Sequence, residues 1–239
     1  HSGMGADITG ITTNEKLADQ YASNIVFASP LVGANNDVST SIACTSSTKS
    51  VTSNGNAAAN GNSNFYGGSF YFDGNGDFLS TPDNADFNMH DSKYTWEFWF
   101  YTTDLSSGEG SGGYGSLISK CTASSSVTYG IGFDSSGNLF FKYWNGGGTV
   151  TTQAATSKVV VNKWYHVAVV KDTASATSGN TKIFVNGNLE ATTAVSGTFY
   201  SESSNALEIG ADRRSTYDYF QGYISDVRAY KGVAKYASN

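Results

Sequence analysis

The sequence predicts an all-β chain folded as a single antiparallel sandwich, and three observations carry that prediction. Short runs of aromatic and β-branched residues recur between residues 25 and 230, separated by segments rich in Gly, Asn, Asp and Ser. The run 182–190 carries Asn186-Gly187 at its centre, the strongest short-range signal of a β-hairpin. Composition agrees: 27 Gly, only 2 Pro and 14% aromatic residues suit many short strands and tight turns around a core of large rings.

Taken in order, residues 1–18 show no period and read as a tag and linker, or as a short helix around Glu15 to Ala18. Residues 19–239 read as one domain, a length that all-β chains commonly fold as a unit. A first strand falls within 21–31, around Ile25 and Phe27, and 35–64 is a loop-rich stretch with a short edge strand near Val51. Stronger strands begin after Gly67-Gly68, at 69–72, and lead through Asp73-Gly74-Asn75-Gly76-Asp77 to 78–80. In the strand 94–102, Trp96, Phe98 and Phe100 share one face, while Thr95, Glu97, Trp99 and Tyr101 share the other. Large residues on both faces predict a curved sheet with a partly aromatic solvent face or a covering layer of loops. Further strands are expected at 115–120, 129–133, 138–144, 164–170, 206–210 and 222–230.

Charge and cysteine content exclude several classes. Only 14% of residues are charged, the formal net charge is −6, and no Lys/Arg stripe appears, so nucleic acid is not an expected partner. No apolar run approaches the roughly 18 residues of a membrane span, and no signal peptide is visible. Cys44 and Cys121 are two thiols far apart in sequence; they define no disulfide framework and read as free, with a single bridge between them as the alternative.

The ordered segments carry a resemblance. Asp19-Gln20-Tyr21 and Asn24-Ile25-Val26 come first, then Tyr71-Phe72-Asp73-Gly74-Asn75-Gly76-Asp77-Phe78-Leu79 and Trp96-Glu97-Phe98-Trp99-Phe100. Trp164-Tyr165-His166-Val167-Ala168, Phe184-Val185-Asn186-Gly187, Ile209-Gly210 and 222–230 follow. This series resembles the laminin-G-like, concanavalin A-like lectin/glucanase jelly-roll family over about residues 19–237. The opening segment and the ending 230–236 resemble the members found in phage virion proteins and microbial surface proteins. The resemblance implies a module displayed on a virion surface or outside the cell. Its expected partner is a cell-surface glycan or polysaccharide, or another virion or surface protein, and self-association into a homo-oligomer is a further expectation.

Catalysis is not expected. Glycoside hydrolysis needs two carboxylates across a scissile bond, whereas Glu97 and Glu208 each stand alone on their strands. The three His residues have no metal-binding spacing, and His166 is expected inside a core strand as a structural residue. Glu97 is expected to pair with Arg228 of a neighbouring strand. Calcium is a separate expectation: Asp73 and Asp77 cluster oxygen donors in a glycine-rich turn, and the resemblance implies that Asp226 lies nearby. A structural Ca²⁺ held by Asp73, Asp77 and Asp226 is one reading; a hairpin turn capped by Asp77 is the other.

Two loops are candidate ligand sites. Asp212, Arg213, Arg214, Tyr217 and Tyr219 stand where pentraxin-like relatives place a calcium loop, but two guanidiniums do not suit a cation. Aromatic faces and planar polar side chains suit sugar instead, with a solvated loop of Arg–Asp pairs as the alternative. Trp144, beside Gly146-Gly147-Gly148, is either a stacking platform or a ring folded back onto the sheet.

Overall fold

The computed structural model describes residues 19–42, 47–64, 67–106, 114–121, 127–197, 199, 204–212 and 218–236. β1 (Ile25–Ser29) is followed by two short edge strands, β2 (Thr52–Asn54) and β3 (Ala58–Asn60). Then come β4 (Ser69–Asp73), β5 (Phe78–Thr81), β6 (Tyr94–Thr102), β7 (Tyr114–Cys121) and β8 (Val127–Asp134). β9 (Leu139–Trp144), β10 (Thr149–Ala154), β11 (Trp164–Lys171), β12 (Asn180–Val185) and β13 (Asn188–Ala194) form the middle of the chain. β14 (Leu207–Ile209), β15 (Ala211–Asp212), β16 (Asp218–Tyr219) and β17 (Gln221–Lys231) complete it.

These strands build two facing antiparallel sheets. The larger runs β13-β12-β11-β6-β17-β4-β3, with β1 also paired to β17; the other runs β10-β9-β8-β7-β14-β5-β2. The short hairpin β15-β16 forms a third, two-stranded sheet. The fold is therefore the sandwich the sequence predicts. The Asn-Gly turn between β12 and β13 also takes the expected form, with φ of 50° at Asn186 and 85° at Gly187, as a type I′ turn requires.

Alternation on each strand fills the space between the sheets. From β6, Trp96, Phe98 and Phe100 are fully buried in the main core; from β11, Tyr165, Val167 and Val169 join them. The opposite sheet supplies Tyr129, Phe133 and Phe141. Phe100 stacks on Phe133 with centroids 5.8 Å apart and planes at 14°, and on Tyr165 at 5.6 Å.

Much of the sparse positive charge is used inside the fold. The Lys49 ammonium donates to the Val26 carbonyl at 2.6 Å and to Asp86 at 2.5 Å, and Lys120 pairs with Asp83 at 3.0 Å. Lys171 donates to the carbonyls of Thr173 at 2.8 Å and Ser175 at 2.6 Å, and burial pushes its pKa down.

Acid stability follows from such contacts. Burial alone would raise the pKa of Asp19, Asp83 and Asp172, but hydrogen bonds and lysine ammoniums outweigh it, and all three lie below the ordinary value of 3.8. A carboxylate with a depressed folded pKa contributes stability above its unfolded value, and that stability is lost as pH falls through the folded value. Asp77 opposes this, because burial pushes its pKa up. With three groups against one, the melting temperature is expected to fall as pH drops below about 4, measured by circular dichroism. A flat or rising melting temperature in that range would contradict these contacts.

Candidate functional site

Inward alternation on four adjacent strands of the larger sheet dictates what stands on its outer face. Phe70 and Phe72 point inward from β4, Ile224 from β17, Phe98 and Phe100 from β6, and Tyr165 and Val167 from β11. Their neighbours Tyr71, Tyr223, Tyr101 and Trp164 therefore face out, and each is half-buried.

Register then aligns these four rings. Tyr223 stands opposite Tyr71 on one side and opposite Tyr101 on the other, and Tyr101 stands opposite Trp164. Centroids are 5.1 Å apart for Tyr71–Tyr223, 5.6 Å for Tyr101–Tyr223 and 5.6 Å for Tyr101–Trp164. The result is one continuous aromatic row crossing the strands. Gly222 permits the close approach of β17 to β6 beneath it. A Cβ on Gly222 would lie 2.1 Å from the Tyr101 carbonyl oxygen, and its φ of 144° is one that L side chains rarely adopt. Gly222→Ala is accordingly expected to lose more than about 1 kcal/mol in urea unfolding. A neutral result would mean that the strands can part here without cost.

Polar groups flank the row. The Tyr101 hydroxyl donates to Asn162 Oδ1 at 3.2 Å. In the next register row, Ser225, Trp99 and His166 stand side by side, with the Trp99 and His166 rings 5.1 Å apart. His166 thus lies within a core strand, as expected, on its outer face. Burial pushes its pKa down, partly offset by Glu97 and Asp226, so the imidazole is neutral at neutral pH.

Another part of this outer face is covered. Beyond β17 the chain turns back, and Ala234 and Tyr236 pack on Ala168, Val170 and Phe184. Glu97 anchors this segment: it accepts from Tyr236 Oη at 2.6 Å and from Lys235 Nζ at 2.7 Å. The expected Glu97–Arg228 pair has the right register but different partners. Arg228 stands opposite Glu97 across the strands, yet its Nε donates to Asp226 at 2.8 Å.

The residues singled out in the sequence are placed as follows. Asp73 and Asp77 share one turn, where Asp77 accepts from the backbone N–H of Asn56 at 2.6 Å and of Asp73 at 3.0 Å. Asp226 does not join them, since it lies within the β17 bulge and holds Arg228. Among the described residues, no group of three His, Cys, Asp or Glu side chains is placed to hold a metal ion. Asp212 is buried beside Cys121, whose free thiol is pushed up to about 12 by burial and by the Asp212 and Glu208 carboxylates. Tyr219 stacks on Phe78 at 6.3 Å. Arg213, Arg214, Tyr217 and Cys44 lie outside the described residues. Trp144 ends β9 on the other sheet, half-buried, so it stands apart from the aromatic row.

Sequence reasoning noticed the second aromatic face of the strand 94–102 but did not follow it across the sheet. The available signal was the same alternation in three other runs: Tyr71 between Phe70 and Phe72, Tyr223 beside Ile224, and Trp164 before Tyr165.

The family model for the concanavalin A-like lectin/glucanases superfamily matches residues 73–236, well over half of the chain. The chain belongs to that superfamily. The matched segment contains Tyr101, Trp164 and Tyr223, while Tyr71 lies just before it. Comparison with curated protein sequences gave no match. Among solved structures of similar fold, the binding domain of Paraclostridial Mosquitocidal Protein 1 aligns with a TM-score of 0.66 and 13% identity, over 90% of this chain and 50% of that one. Domain 4 of AbnA, a GH43 extracellular arabinanase from Geobacillus stearothermophilus solved with arabinotriose, aligns with a TM-score of 0.61 and 14% identity, over 89% and 94%. The binding domain of botulinum neurotoxin DC, solved with SialylT, gives 0.60 and 17%, over 87% and 48%. The chain spans about half the length of the toxin binding domains it matches.

Proposed function

We propose that this chain is a non-catalytic carbohydrate-binding module that holds a glycan on the outer face of its larger sheet. The observation that carries this reading is the register-aligned row Tyr71, Tyr223, Tyr101 and Trp164. Aromatic faces carry partial negative charge, which attracts the polarised C–H groups on the apolar faces of sugar rings. The flanking Asn162 and the Tyr hydroxyls can meet sugar hydroxyls at the same time.

A binding role also fits the state of the carboxylates. Glu97 is occupied by Lys235 and Tyr236, so it is not poised as an acid or base. The domain of an extracellular arabinanase solved with arabinotriose supports a sugar ligand by analogy of fold. No helix among the described residues is long and apolar enough to cross a membrane. Display outside the cell or on a virion appendage is the setting the sequence segments at either end favour. Calcium is a separate proposal, now confined to Asp73, Asp77 and the carbonyls of their turn; a chelator that leaves the melting temperature unchanged would remove it.

The reading is tested by affinity electrophoresis through gels holding soluble polysaccharides, comparing the native chain with Trp164→Ala and Tyr101→Ala. Retardation of the native chain in at least one gel is expected, with affinity reduced about tenfold or more by either change, a loss of roughly 1.4 kcal/mol. If a polysaccharide retards all three proteins equally, the row is not the site. If none retards the native chain, a protein partner becomes the better reading.

A further inference from the structure

Resting on the carbohydrate-binding reading, we infer that the ligand is a single neutral glycan chain with a twisted backbone, lying across the strands and engaged over about three to four sugar units, one per strand. Three features of the row carry this.

The first is ring orientation. Planes meet at 45° for Tyr71–Tyr223, 75° for Tyr101–Tyr223 and 55° for Tyr101–Trp164. No two neighbours are coplanar, so the row cannot lie flat against the face of a crystalline polysaccharide. It suits a chain whose successive sugar rings are themselves turned against one another.

The second feature is spacing. Adjacent strands lie about 4.8 Å apart, close to the advance of one pyranose unit in an extended chain. The centroid separations of 5.1 Å and 5.6 Å keep that step across four strands. A ligand that runs across the strands therefore meets one ring per sugar. One that runs along a single strand meets at most two, as with Trp99 and Tyr101 on β6 or His166 and Trp164 on β11.

The third feature is charge. Among the described residues, register places no Lys or Arg on this row or on the row of Ser225, Trp99 and His166. Lys163, next to Trp164 in sequence, holds its ammonium 5.2 Å from the Tyr165 ring centroid. Arg228 is held by Asp226 and lies 3.8 Å from Asp19. At the other end of the row, Asp73 stands opposite Gln221 as a formal negative charge. An anionic polysaccharide needs cations to offset its desolvation, so this surface disfavours one.

Isothermal titration with xylan- and laminarin-derived oligosaccharides of two to six units, whose backbones twist, and with cellohexaose, whose backbone is a flat ribbon, separates the alternatives. Pull-down on microcrystalline cellulose and binding to polygalacturonate complete the set, each repeated with Trp164→Ala. Expected are binding to at least one twisted oligosaccharide about tenfold tighter than to cellohexaose, affinity that stops rising beyond about four units, and no retention on cellulose or polygalacturonate. Retention on cellulose or polygalacturonate that Trp164→Ala removes would overturn the inference while leaving the platform in place. Failure of every glycan to bind would overturn both. Circular dichroism of Trp164→Ala, expected to match the native chain because this ring faces out, separates lost binding from lost folding.

Discussion

Phe100→Ala is expected to destabilise the fold by about 3–5 kcal/mol in denaturant unfolding, the usual cost of emptying a large aromatic site in a core. Phe100 lies at the crossing of the two sheets, stacked on Phe133 and Tyr165 and edge-on to Phe220. None of these rings can move into the gap without giving up its own contacts. The loss is a large share of the roughly 5–15 kcal/mol that holds a typical domain together. It also reaches the outer face, because Phe100 fixes the strand from which Tyr101 projects. Weaker glycan binding should therefore accompany the lost stability. A loss under about 1 kcal/mol would mean that the two sheets are not locked together at β6.

The second large effect is expected at Glu97. Removing one member of a buried, hydrogen-bonded ion pair typically costs about 3–5 kcal/mol, because the partner is left charged without compensation. Glu97→Ala would leave the Tyr236 hydroxyl without its acceptor and Lys235 with Asp19, at 3.2 Å, as its remaining carboxylate partner. It would also release the segment that covers Ala168, Val170 and Phe184. Replacing both partners with apolar residues often costs little, so Glu97→Leu combined with Lys235→Met should be less damaging than Glu97→Ala alone. Urea unfolding of the single and double variants checks this. Equal losses would show that the pair is not the anchor of the C-terminal segment.

The sequence made the scaffold readable because its signals are local. Alternation in 94–102 assigned Trp96, Phe98 and Phe100 to the core, and Asn186-Gly187 marked the turn between β12 and β13. The aromatic row was only half legible. Its members come from residues 71, 101, 164 and 223, and only strand pairing brings them together. Alternation shows that each faces out, but no spacing within the sequence encodes their register.

Other features depended on tertiary packing. Arg228 and Glu97 occupy the expected neighbouring strands, but a bulge between Ser225 and Arg228, with Asp226 at a φ of 52°, gives the guanidinium a closer partner. Lys235 takes Glu97 because the chain doubles back after β17. The run 211–219 looks like a solvated loop by composition, yet Asp212 and Asp218 are buried where the β15-β16 hairpin packs on β7. Polarity alone does not reveal such burial.

The most direct measurement is residue-resolved NMR titration with whichever soluble glycan binds. The account predicts that the largest shift changes fall on the Trp164 indole and on Tyr71, Tyr101 and Tyr223, with smaller changes at Trp99, Asn162 and His166. Changes concentrated instead on Trp144 or on residues 212–219, with the four-ring row unmoved, would contradict it.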